Sequence, residues 1–590
     1  MYLRCNSRLK DGKQHRYWNI VESKRCAGGK VVQRQVLYLG EINDSQREAW
    51  CRVIEAFDEQ TNQRTQLALF PAQGELPAYA REYGVQVRLD RMELHRPRQW
   101  GACWLACHLY EQLQLDQFWA DRLVDSREGT CWRHILQTLV CYRLIEPGSE
   151  WRLHRLWFEK SAMGDLLGED YSLVEKNALY RCLDKVLEHK SALFGHLRER
   201  WQDLFQAKFD VLLYDLTSTY FESDPPNNPK DKRRYGYSRD KRSDCVQVVI
   251  ALIVSPEGFP LAYEVLAGNT SDRTTLREFL NKIETQYGKA ERIWVMDRGI
   301  PTEEVLTEMR QSDPPLYYLV GTPKGRLTKL EQQLLSLPWQ EVRPGVEVKL
   351  LPQEQELYIL AQSHDRIHKE CAMRQRQLRA LVKRLNQLQQ MKFSGTQKLL
   401  LKLGAAKGHY PAAWRLLDIE MPESFGSSFS FRLNRQKLRA MRRREGRYLL
   451  RSNLCGKDPA ELWQFYIQLV EVEAVFKNLK DHLALRPIHH QLEHRIEAHI
   501  FLAFIAYALH VTLRGRLRRM AGGLTARAVL DKFAAIQMLD VQFPTTDGRT
   551  LILSRYTEPT LDHKLLLEQL NLTLPPQPPP RISADRHVVH

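Results

Sequence analysis

Asp215, Asp297 and Glu473 stand far apart in the chain, each where a carboxylate can serve a metal ion. Asp215 ends the apolar run Val211-Leu212-Leu213-Tyr214, Asp297 ends Ile293-Trp294-Val295-Met296, and Glu473 lies in a helical stretch between Tyr466 and Lys480. Two strand ends and a helix that converge would gather oxygen ligands for hard divalent cations. Two such ions about 4 Å apart activate an attacking oxygen and stabilise a leaving one, so the chemistry expected is phosphoryl transfer. Each residue also has an ordinary reading. An Asp closing a strand is commonly a turn former, as Asp210 and Asp240 illustrate, and a Glu on a helix is commonly solvated, with Glu471 as a nearby competitor. Residues seven apart differ by about 20° around an α-helix, so Tyr466, Glu473 and Lys480 make one stripe roughly 21 Å long, from which Glu471 turns away. That stripe either faces a substrate backbone, with Lys480 on a phosphate, or is an amphipathic surface.

Other candidates are weaker. His490 and His494 have an i, i+4 spacing that two metal ligands can share, but neither His489 nor His499 completes a set. The chain has no G-x-x-x-x-G-K-[ST], H-E-x-x-H or G-x-S-x-G motif, so an ATP-driven or serine-hydrolase mechanism has no support, and no nucleotide cofactor is expected. Eleven cysteines, an odd number without a C-x-x-C pair, suggest neither a zinc ribbon nor a disulfide framework and fit a reducing cytoplasm. The N-terminus lacks an apolar signal region, and the apolar stretch from Phe501 to Leu513 is too short to span a bilayer and contains His510, so no membrane association is expected.

The 590 residues exceed one ordinary core. Residues 1–95 read as a small β-hairpin or meander, a helix capped by Asn43 or Asp44 and running through Phe57, and a polar linker over 58–80. The β element is either a packing appendage or a basic DNA-contacting ribbon. Residues 96–206 repeat apolar positions at helical spacing and form an all-α domain, DNA-binding or structural, interrupted by a Pro147-Gly148 turn. From Phe209 the pattern changes to strands over 209–214, 245–254 and 260–266, a helix from Ser271 to about Tyr287, a strand over 292–296, a helix over 302–310 and a strand over 316–320. Three strands, helix, strand, helix, strand is the order of a ribonuclease-H-like mixed α/β sheet, placed at 207–321.

A long basic, partly helical insertion at 322–444 follows. Between Asp365 and Lys402 it carries ten Lys and Arg against two acids, with Ile367, Cys371, Leu378, Leu381, Leu385 and Leu388 close to a heptad. The core resumes at 445–520, with a strand over 448–453, the Glu473 helix broken near Arg486-Pro487, and a helix over 494–520. Residues 521–590 are read as further helices, one over 526–538, and a disordered proline-rich tail. The net charge of +16 favours a polyanionic partner, with nucleic acid foremost. Arg442, Arg443 and Arg444, and the run Arg514, Arg516, Arg518 and Arg519, are expected on backbone phosphates, which would make affinity fall with salt.

Tyr214-Asp215-Leu-Thr-Ser-Thr-Tyr-Phe-Glu222, Gly236-Tyr-Ser-Arg-Asp-Lys-Arg-Ser, Gly258 to Thr270 and Met296-Asp297-Arg-Gly together resemble the DDE transposases of bacterial insertion sequences. Within them the chain is similar to the branch with a Tyr-x2-Arg-x3-Glu-x6-Lys signature in the last catalytic helix. Tyr466, Glu473 and Lys480 fall on that signature, but Leu469 replaces its arginine, which puts that phosphate clamp and a hairpin route for second-strand cleavage in doubt; Arg486, Lys477 or a residue elsewhere would have to substitute. The resemblance covers roughly 200–515. It implies a site of Asp215, Asp297 and Glu473 with two Mg2+ ions, Mn2+ as substitute, and DNA contacts from Tyr466, Lys477, Lys480, Arg486, Arg298, Lys241 and Arg442 to Arg444. Double-stranded DNA with terminal inverted repeats, a target duplex and a homodimeric synaptic complex are the implied partners, in a bacterial cytoplasm at the nucleoid. The rival readings are a nuclease of the same fold that cuts without joining, and an inactive DNA-binding regulator.

Overall fold

The computed structural model describes residues 2–10, 13–25, 31–41, 54–58, 63–67 and 87–583, the last span apart from 128, 323–329, 331–332, 335, 392–394, 422–428 and 546–547. The chain divides into two compact units. One comprises residues 1–112, 125–179 and 516–590, the other 113–124 and 180–515, so the helices between 96 and 206 fall to both.

In the first unit, β1 (Tyr2–Lys10), β2 (Lys13–Arg25) and β3 (Val31–Glu41) form the antiparallel meander expected near the N-terminus. Asn43 and Asp44 lie outside the described residues, but the end of the helix expected there is instead a strand. β4 (Ile54–Asp58) pairs with β5 (Gln63–Leu67), which also occupies part of the expected linker. The C-terminal region differs more. The helix expected over 526–538 stops at Phe533, and β18 (Gln537–Pro544) follows, paired to β6 (Glu93–Gln99) and to β19 (Thr550–Tyr556). The proline-rich tail is ordered along this sheet. Tyr556 Oη donates to the Pro575 carbonyl, Gln577 donates to the Tyr556 carbonyl, and β20 (Arg581–Ser583) closes the edge. Prolines suit such an edge position because they need give no ladder hydrogen bond.

The second unit is built on a nine-stranded sheet. Its first five strands in chain order are β7 (Val211–Phe221), β8 (Val246–Val254), β9 (Pro260–Ala267), β10 (Ile293–Met296) and β11 (Tyr317–Gly321). In space they run β9-β8-β7-β10-β11; β8 is antiparallel to β7 and β9, while β10 is parallel to β7 and β11. Every residue of β8 is buried, as its unbroken apolar run requires of a strand covered on both faces. The helix Asp272–Tyr287 packs beneath β7, where the Tyr214 hydroxyl meets that of Thr275 at 2.7 Å.

The insertion enlarges this sheet. β12 (Gln340–Arg343), β13 (Val346–Gln353) and β14 (Glu356–Ser363) join it through β17 (Arg447–Ser452), which lies antiparallel to both β14 and β11. Beyond β14 the helices His364–Gln390 and Thr396–His409 bury Leu381, Leu385, Leu388, Leu399 and Leu403 in a small core shared with the hairpin β15 (Leu417–Glu420) and β16 (Ser430–Leu433). The apolar stretch around Phe501 lies in the helix Glu493–Met520, as expected for 494–520. Its most apolar 18-residue window has a mean hydropathy of 1.7, enough to cross a membrane by length and composition, but 94% of that window is buried within the protein.

Candidate active site

Asp215 and Asp297 are brought together by strand register. Met296 of β10 pairs with Tyr214 of the parallel strand β7, so the two aspartates are the next residues on neighbouring strands. Side chains alternate along a strand, so with Tyr214 turned towards Thr275, Asp215 belongs to the opposite face, while Asp297 is the residue that follows the end of β10. Asp215 is half-buried and Asp297 exposed, its Oδ1 accepting the Arg298 N–H at 2.7 Å.

Tyr466 lies beside Asp297. A methyl group built on Gly321, the last residue of β11, would stand 2.8 Å from Tyr466 Oη and 3.4 Å from Asp297 Oδ1. The ring is fixed by Tyr448 of β17, stacked on it at 5.7 Å, whose hydroxyl accepts from Trp463 Nε1. Burial, reinforced by the Asp297 charge, pushes the Tyr466 hydroxyl up to about 12.

The helix carrying Glu473 differs from the continuous stripe expected. It comprises Pro459–Ile467, a break at Gln468, Leu469–Lys477 and a π-helical turn over Asn478–His482. The first part packs on β10 and β11, the second on β7 and β8, so the break lets one segment follow the strands that carry both aspartates. Glu473 is exposed, whereas Glu471 is drawn into an ion pair with Arg514 at 3.1 Å. Among the described residues, Asp215, Asp297 and Glu473 are not a set of donors within 4.8 Å of one another.

The loop before β8 supplies what sequence reasoning missed. Gly236 lies against the Gly268 carbonyl so closely that a Cβ would stand 2.0 Å from it, and Gln247 Nε2 donates to the carbonyls of Gly268 and Tyr237. A turn at Lys241, in left-handed conformation with φ of 61°, follows. Between these anchors Arg239 comes within 3.8 Å of the Asp215 carboxylate. Asp240 accepts from Lys480 at 3.1 Å and pairs with Arg486 at 2.8 Å. Burial lowers the Lys480 pKa against the opposing pull of Asp240. Arg486 also lies over the Tyr220 ring at 5.2 Å. Lys480, expected on phosphate, is therefore held by Asp240 here, and Asp240 is more than a turn former. The only sequence signal for the loop was the Gly236 to Ser243 motif.

Arg298, Lys241, Lys477, Arg442 and Arg443 are exposed, and Arg444 is half-buried. Arg514 and Arg516 are not arranged as expected: Arg514 donates to the Glu257 carbonyl besides pairing Glu471, and Arg516 donates to Gln112 Oε1 at 3.2 Å, so both serve packing. His490 and His494 do not form a pair: His494 Nε2 meets Asp184 at 3.1 Å, while His490 packs edge-on against Tyr180 and His499.

The family described as "Transposase DDE domain" matches residues 206–509, and that described as "IS1634 family transposase, N-terminal domain" matches residues 3–68. A curated relative, the UvrABC system protein C of Nitrosomonas europaea, is 28% identical over 172 residues, which are 28% of this chain and 27% of that protein, so the chain spans about a quarter of its length. A solved structure, the piggyBac transposase synaptic complex with hairpin DNA, is similar over 73% of this chain and 77% of that one, at 9% identity and a TM-score of 0.34.

Proposed function

This chain belongs to the DDE transposases of insertion sequences, and on that premise we propose that it binds the terminal inverted repeats of such an element, cuts the DNA at their ends and joins the freed 3′-hydroxyl to a target duplex. The observation that carries this reading is the placement of Asp215 and Asp297 on adjacent parallel strands with the Tyr466 hydroxyl beside them. The spatial order β9-β8-β7-β10-β11, with only β8 reversed against its neighbours, supports a ribonuclease-H-like core.

The donor set fits hard divalent ions, being all carboxylate oxygen at exposed or half-buried positions. A trio spread wider than one ion's ligands suits a pair of ions. Asp215, Asp297 and Glu473 would hold two Mg2+, with Mn2+ as substitute, and the ions when bound supply charge neutralisation at the attacking and leaving oxygens. The chain's own residues position the DNA. Tyr466, protonated at any working pH, donates its hydroxyl to a phosphate oxygen near the cut. Lys480 and Arg486 exchange Asp240 for a DNA phosphate and so stand in for the guanidinium absent at Leu469. Arg239, now 3.8 Å from the Asp215 carboxylate, would have to give it up for Asp215 to serve as a metal ligand. Arg298, Lys241, Lys477 and the Arg442 to Arg444 run hold the duplex backbone, and a homodimer brings two ends together in the bacterial cytoplasm, at the nucleoid.

The test is a joining assay with precut transposon-end DNA, supercoiled target plasmid and Mg2+. Asp215→Asn, Asp297→Asn and Glu473→Gln should each lower cleavage by at least about a thousandfold, as loss of a metal ligand worth several kcal/mol requires, while end binding persists. Full activity in any variant removes that residue from the site. Cleavage without joining would make the protein a nuclease, and binding without cleavage a regulator.

A further inference from the structure

A second cluster, in the first unit and independent of the catalytic reading, has different ligand chemistry. Cys131 immediately precedes the helix Trp132–Ile145, His134 stands on its first turn, and Glu169 follows the short helix Met163–Leu167. One donor atom from each lies within 4.8 Å of the other two, and His134 Nδ1 is 2.7 Å from Glu169 Oε1. All three are half-buried. Asp125, whose carboxylate lies 3.6 Å from Arg133, is a neighbour whose charge acts on the Cys131 thiol.

We propose that Cys131, His134 and Glu169 form a site for a zinc-class divalent ion, with water or the neighbouring Asp125 in the fourth position. Sulfur and imidazole donors select Zn2+ over Mg2+, which demands an oxygen cage. Zinc bond lengths of about 2.0–2.3 Å put donors in a tetrahedral shell about 3.3–3.7 Å apart, so closure needs Cys131 to move by at most about 1 Å and His134 and Glu169 to part by rather less than that. On ligation the Cys131 thiol gives up its proton to solvent and binds as thiolate. The ion would clamp the start of one helix to the chain leaving another, a role apart from catalysis.

The test loads the purified full chain with Co2+, whose thiolate complexes give a charge-transfer band in the near ultraviolet, and then titrates Zn2+ against a chromophoric chelator. One equivalent of Zn2+ that displaces the cobalt band is the expected result. Cys131→Ser should remove the band, and Glu169→Gln should weaken Zn2+ about 10- to 100-fold. Asp297→Asn should leave both readings unchanged, because the catalytic cluster holds no sulfur. If Cys131→Ser fails to fold, as read by circular dichroism, Glu169→Gln and His134→Gln decide alone. The absence of a band in the unaltered chain, a band that survives Cys131→Ser, or Zn2+ affinity unmoved by Glu169→Gln and His134→Gln would reduce the cluster to an ordinary His134–Glu169 ion pair.

Discussion

Gly321 ends β11 where the Tyr466 hydroxyl and the Asp297 carboxylate both approach the strand, and a methyl group there falls within 2.8 Å of the hydroxyl. Gly321→Ala should therefore push Tyr466 off the site, and a displacement near 1 Å costs on the order of a hundredfold in rate. Single-turnover cleavage would read this loss, and an unchanged rate would separate Tyr466 from the reaction. A contrast between Glu471 and Glu473 tests the helix phase. Glu471→Gln breaks the pair with Arg514, so it should lower stability by about 1 kcal/mol yet spare cleavage, while Glu473→Gln does the opposite. Asp240→Asn releases Lys480 and Arg486, so end-DNA affinity should rise several-fold in a binding titration; lower affinity would mean that Asp240 orients these cations instead of occupying them. The neighbouring strands that carry Asp215 and lead to Asp297 were legible from their apolar runs, although β7 does not end at Asp215 as expected but continues to Phe221. Arg239 and Asp240 were not, because their positions depend on the Gly236–Gly268 approach across β8, which no local pattern encodes.

The helix His364–Gln390 turns Leu381, Leu385 and Leu388 into its own small core and leaves Lys369, Arg376 and Lys383 exposed at seven-residue spacing along one face. Such a row fits the backbone of a duplex. Replacing all three by Gln should flatten the plot of log affinity against log salt by about 0.9 for each phosphate no longer neutralised, while cleavage at saturating DNA keeps its rate. An unaltered slope would make this face a solvated one. The helix was readable because the apolar heptad sets its phase. β12, β13 and β14 were hidden inside the same insertion: each is local, but their membership of the nine-stranded sheet rests on β17, which returns about ninety residues later. The Glu473 helix was expected whole, and its break at Gln468 and π-helical end answer to packing on two pairs of strands rather than to any breaker residue.

At the scale of the whole chain, the charge of +16 forecast a polyanionic partner, but composition said nothing of how the C-terminal residues close the first unit. They do so through Arg98 of β6, which is 1% exposed and reaches Asp540 of β18 at 2.9 Å and Asp165 at 2.7 Å. A helical reading to Met538 was natural because Ala526 to Phe533 is strongly amphipathic, and only pairing with a strand some 440 residues earlier turns Gln537 onward into β18. Burial would raise the Asp540 carboxyl, but hydrogen bonds from Arg98 and Ser554 outweigh it and hold the pKa below the usual value. The unfolded chain then binds this proton more readily than the folded one, so the interaction contributes fully above the unfolded pKa of about 3.9 and fades as pH falls through the lower folded value. Asp540→Asn should cost about 3 kcal/mol at pH 7, because it leaves a buried guanidinium with one carboxylate instead of two. Thermal unfolding of the wild-type and variant chains should differ most at neutral pH and converge towards pH 3. A gap that stays constant down to that pH would show that Asp540 acts by packing and not by charge.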